Sequence, residues 1–99
     1  MKLLQLTANT GPEECCLAVR KALCQLLREC EAAAVRAELL EEVPGELPGN
    51  FRSVLLALEG GQAQALVSRW GGSVQWVCPS PYRPGHRRKN WFIGVEAFE

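Results

Sequence analysis

The sequence predicts an α+β domain whose strands and helices follow one another in the order β-α-β-β-α-β. Three observations carry this. Segments near 10–31 and 60–70 repeat apolar residues at the three-and-four spacing of a buried helical face. Four shorter apolar or alternating runs, at 2–7, 34–43, 52–59 and 73–78, read as strands. Glycine and proline mark most of the junctions. With 99 residues the chain is one domain of radius of gyration about 13 Å, large enough to fold around a core without metal or disulfide.

Each element has a local reason. "KLLQLT" (2–7) is a first strand. Thr10, Pro12 and Glu13 predict a capped helix start, with Glu13 closing a capping box. The helix then runs to about Glu31, burying Cys16, Val19, Leu23, Leu26, Leu27 and Cys30 and turning Arg20, Lys21, Arg28 and Glu29 largely outward. "AVRAELLEEV" (34–43) alternates, with Val35, Ala37 and Leu39 on one side, as a half-buried strand does. "PGELPGN" (44–50) is a turn, and "RSVLLALE" (52–59) an apolar strand. "GGQAQALVSRW" gives a short helix burying Ala63, Leu66, Val67 and Trp70, stopped by Gly71-Gly72. "SVQWVC" (73–78) is the fourth strand, and "NWFIGVEAF" (90–98) is a candidate fifth.

This order is the ferredoxin-like split β-α-β-β-α-β pattern, whose crossovers set the first and third strands side by side in mid-sheet. Arg36, Glu38, Glu41 and Glu42 mark the second strand as an edge. One helical layer covers one sheet face, so Leu3, Leu55 and Ala57 are expected on the other. The C-terminal segment, a second copy forming a homodimer, or a further domain would cover them.

The 47% apolar and 22% charged composition is that of a soluble globular domain. No apolar run approaches the roughly 20 residues of a membrane span, and "MKLLQLTANTGPEE" reads as a strand rather than a secretory leader. Cys15, Cys16, Cys24, Cys30 and Cys78 are odd in number and lack CxxC spacing, so free thiols in a reducing cytoplasm are expected, not a zinc site. One histidine and no aspartate leave no catalytic constellation, and no cofactor is expected.

Zero net charge conceals an asymmetry. Residues 1–78 carry seven Lys/Arg against nine Glu, whereas residues 79–99 carry four against two. The domain therefore divides into a core at 1–78 and a basic, aromatic segment at 79–99. In and just before "SPYRPGHRRKNWF" (80–92), Pro79, Pro81 and Pro84 favour extended backbone. Arg83, Arg87, Arg88 and Lys89 suit phosphates, and Tyr82, His86 and Trp91 offer rings for unpaired bases. With Asn90 these form the candidate RNA-contact set. Trp91 and Phe92 also suit the core, and a solvated basic loop is the plainer reading. General RNA-binding module and partner- or ligand-binding domain both remain open on these grounds.

"LLQLTANTGPEECCLAVRKAL", "RSVLLALEG" and above all "VQWVCPSPYRPGHRRKNWFIGV" resemble the N-terminal region of the release-factor-H branch of the class I peptide chain release factors, across essentially the whole chain. The resemblance implies a factor entering the ribosomal A site in translation termination or rescue of damaged, stalled ribosomes. It also implies a shortened front domain, association with an RNA-repair ligase, and ribosomal RNA of the decoding region as the partner of the basic segment. Catalysis in that family belongs to a Gly-Gly-Gln loop in a following domain, so no peptidyl-tRNA hydrolysis is expected of residues 1–99 alone. Gly60-Gly61-Gln62 spells the triplet but opens an amphipathic helix. Ser80-Pro81-Tyr82 likewise has only a tripeptide's likeness to the Ser-Pro-Phe of stop-codon readers.

Overall fold

In a computed structural model, which describes residues 1–98, β1 (Lys2–Thr7) inserts Leu4 and Leu6 beneath the helices, and the alternation turns Leu3, Gln5 and Thr7 to the opposite face. α1 (Glu13–Ala32) buries Cys16, Val19, Leu23, Leu26 and Cys30 as their spacing predicts. Leu27 departs from expectation: at about 100° per residue it falls at the margin of the buried stripe and is 41% exposed. The expected capping box does not form. Pro12 occupies the N-cap without a side-chain bond, because Glu13 is engaged by another loop, described below. At the other end, Val35 N–H donates to Cys30 C=O and Ala34 N–H to Glu31 C=O, a Schellman closure with Ala34 left-handed at φ 55°.

β2 (Arg36–Pro44) and β3 (Phe51–Glu59) form a hairpin, with the register shifting at Leu39/Glu41. α2 (Ala63–Trp70) buries Ala63, Leu66, Val67 and Trp70. Its entry is made by Gly60, whose φ of +142° and whose closeness to Ala34 O (3.1 Å from where a Cβ would lie) both require glycine. Ala63 N–H donates to Gly60 C=O, so Gly60-Gly61-Gln62 is the turn into a helix, as the sequence suggests. Arg69 and the Trp70 indole N–H (2.9 Å) both donate to Glu29, tying α2 to α1.

β4 (Gly72–Val77) and β5 (Asn90–Phe98) complete a five-stranded antiparallel sheet of order β2-β3-β1-β5-β4. β1 and β3 are neighbours and β2 is an edge, as the ferredoxin-like pattern requires. The candidate fifth strand exists and lies inside the sheet, between β1 and β4. Residue 78 is thus no boundary of the sheet: Trp91, Ile93 and Val95 of β5 sit in the same core as Leu4, Leu56 and Leu26. The face away from the helices carries Leu3, Leu55, Ala57, Phe92 and Phe98.

All five cysteines are free thiols. Burial pushes Cys16 up to about 11 and raises Cys15 and Cys30 too, so these three serve as small apolar side chains rather than nucleophiles. No helix among the described residues is long and apolar enough to cross a membrane.

Candidate nucleic-acid interface

The segment between β4 and β5 begins and ends on one ladder: Cys78 N–H donates to Lys89 C=O (2.8 Å), and Trp76 pairs with Trp91. Trp91 is fully buried, its indole N–H donating to Cys78 C=O at 2.9 Å. The loop folds back over this ring. The Arg88 guanidinium lies 4.6 Å and that of Arg83 5.7 Å from its centroid. The His86 ring stands 6.1 Å away. Arg88 Nε also donates to Asn90 C=O (2.8 Å), and its N–H to His86 Nδ1 (3.1 Å). Gly85, at φ +74°, lets the chain reverse so that His86 N–H reaches Arg83 C=O (3.1 Å).

Two acids at the start of α1 pin the loop. Glu14, 4% exposed, accepts the Ser80 hydroxyl (2.7 Å) and Arg83 Nε (2.6 Å) on one oxygen, Oε2. Ser80 Oγ in turn accepts the N–H groups of Tyr82 and Arg83, both at 3.1 Å. Burial by itself would raise the Glu14 carboxyl. Hydrogen bonds from Arg83, Ser80 and its own backbone, with the Arg83 charge, hold it at about 2 instead.

Glu13 accepts Glu46 N–H and Leu47 N–H (3.0 Å each) and Asn50 Nδ2 (2.7 Å). Burial opposes ionisation there too, and these donors outweigh it, lowering its pKa. Asn50, 2% exposed, also donates from Nδ2 to the Tyr82 hydroxyl at 2.8 Å. Only the amide nitrogen can face the Glu13 carboxylate, which fixes the orientation and leaves Asn50 Oδ1 buried without a partner among the described residues. The basic loop therefore straps across the first turns of α1 to the β2–β3 turn.

This geometry sorts the sequence-derived set. Trp91 is corrected: a ring with no exposed surface cannot receive a base, and it stacks the protein's own Arg88 instead. Arg83 is ion-paired with Glu14, though its side chain remains 45% exposed. Tyr82 is 36% exposed with its hydroxyl against Asn50. His86 is half-buried. Asn90 is exposed, and its Oδ1 accepts Gln75 Nε2 (2.8 Å). Arg87 and Lys89 are exposed, and neither has an acidic partner among the described residues. The loop thus presents two free cations, backed by Arg88. Sequence reading missed the positioning residues Glu13, Glu14 and Asn50. Nothing local could reveal them, since Glu14 and Ser80 lie 66 positions apart.

No family model matches the chain. It is 52% identical, over 98 residues, to a peptide chain release factor homolog of Escherichia coli, an alignment covering 99% of this chain and 48% of that protein. The chain therefore spans about half the length of this curated relative. Its fold is similar to that of RF2 of Thermus thermophilus, with a TM-score of 0.78 and 28% identity, covering 97% of this chain and 27% of that one. The release-factor likeness seen in the sequence is borne out by both.

Proposed function

We propose that the chain is a ribosome-binding domain of a release-factor-type protein, acting in translation termination or in rescue of damaged, stalled ribosomes. In this reading the loop between β4 and β5 lies against ribosomal RNA of the decoding region. The observation that carries it is the pinned loop. Glu14 and Asn50 fix its first half and Arg88, stacked on Trp91, holds its second, so the backbone carrying Arg87 and Lys89 is already placed to meet phosphate oxygens. The similarity to a peptide chain release factor homolog supplies the translational setting. Peptidyl-tRNA hydrolysis is assigned to a further domain with its own Gly-Gly-Gln loop, because Gln62 here occupies the N-cap position of α2.

The test is co-sedimentation with ribosomes whose A site is either empty or filled by tRNA, across a salt series. Binding is expected only to the empty site, without release of nascent peptide. The R87Q/K89Q variant should flatten the slope of log K against log salt by about 1.4 to 1.8, the share of two phosphate contacts. Equal binding to both ribosome preparations, or an unchanged slope in the variant, would overturn the reading.

A further inference from the structure

A second cationic site lies outside the loop. Along the outward face of α1, Arg20, Lys21, Cys24, Gln25 and Arg28 join Trp76 of β4 around a groove of about 380 Å³. No acid lines it. Among the described residues, Arg20, Lys21 and Arg28 form no ion pair; Arg28 reaches only Gln25 Oε1, at 3.5 Å. Arg20 is seated by a dedicated gap in the β2–β3 turn, where a Cβ on Gly49 (φ +85°) would stand 2.8 Å from its Nη1. Trp70 and Trp91 are buried, whereas Trp76, packed against the core, is only partly buried and keeps some of its surface open beside these cations.

We infer that this groove is a binding site for single-stranded RNA, with Arg20, Lys21 and Arg28 on consecutive phosphates and an unpaired base on the Trp76 indole. A planar ring set among unopposed cations matches the alternation of phosphate and base along a single strand. An acidic peptide would use the charges and leave the ring unused. The placement extends the strap. Arg20 and Lys21 follow Glu14 by six and seven residues, about 10 Å along the helix axis. One strand crossing the loop would therefore run on into the groove. The inference shares its ligand class with the reading above but rests on different residues.

Binding of the whole chain to a fluorescein-labelled oligouridylate about twelve nucleotides long separates the two, followed by anisotropy over a salt series and by tryptophan fluorescence. R20Q/K21Q/R28Q should weaken binding and flatten the salt slope by about 2, three contacts at about 0.7 each for a single strand. The quenching seen on binding should come from Trp76 and vanish in W76F. W76F keeps a ring in place, so the result does not depend on a variant that empties the position. Four results would overturn the inference: an unchanged slope in a folded groove variant, quenching that survives W76F, competition by polyglutamate as strong as by unlabelled RNA, or no binding by the unaltered chain. Loss of binding in the loop variant alone would remove the groove and leave the loop reading standing; loss in the groove variant supports the groove, and the ribosome experiment above decides the loop reading separately.

Discussion

Glu14 concentrates the site's energetics in one carboxylate. It is buried, it serves two side-chain donors on the same oxygen, and its pKa falls from the ordinary 4.5 to about 2. A depressed acid contributes stability that is complete above its unfolded pKa and is lost as pH falls through the folded one. The window is therefore about pH 4.5 down to 2. The shift alone corresponds to roughly 3 kcal/mol; because Arg83 is 45% exposed, solvent screening brings the expectation nearer 2 kcal/mol. Glu14→Gln should lower unfolding free energy at pH 7 by about that amount. It should also flatten, without abolishing, the acid limb of stability, since Glu13 and Glu29 are lowered too. Urea melts at pH 7, 4 and 2.5 check this; parallel acid limbs in the two proteins would remove Glu14 as the anchor.

Among the elements, α1 and the strap show what a local pattern can and cannot reveal. The strands and helices were legible because apolar periodicity is a property of neighbouring residues, and the cationic loop was legible because its charges are consecutive. The place of β5 was not. Pairing with β1 depends on competition between strands far apart in sequence, which periodicity does not encode. The same limit hid the fate of Trp91: composition gives a ring beside arginines, and only packing says that the arginines stack on that ring themselves. Thr10-to-Glu13 spacing misled for a related reason, since a turn 33 positions away takes the Glu13 carboxylate. The C-terminus of α1 is closed by Ala34 at φ 55°, where a Cβ is strained by about 1–2 kcal/mol. Ala34→Gly should relieve more strain than it adds unfolded-chain entropy, a net gain of about 0.5–1 kcal/mol. A raised urea midpoint at constant m-value is the expected signature, and a lowered midpoint would show that the Schellman closure does not limit the helix end.

For the molecule as a whole, the unsettled surface is the sheet face that no helix covers. Its centre is apolar, with Phe92 52% and Phe98 41% exposed beside half-buried Leu3 and Leu55. Its margin is acidic: Glu38, Glu41 and Glu96 share that face by register. Five strands about 4.8 Å apart and averaging about eight residues give a face of roughly 20 by 27 Å, or about 540 Å². A standard stable interface takes about 800 Å² from each partner. Two copies stacked through this face would reach only about two thirds of that, and both would bring the same carboxylates together. The homodimer that the sequence allows is therefore a weak one. At about 10 μM and low salt the isolated chain should sediment as a monomer. Association should emerge only at much higher concentration and should strengthen with salt, which screens the acids over a Debye length of about 10 Å at 0.1 M. Phe92→Ser, at an exposed site, should abolish that residual association with little effect on folding. A dimer that persists at submicromolar concentration, or that weakens as salt is added, would mean that some other surface governs self-association.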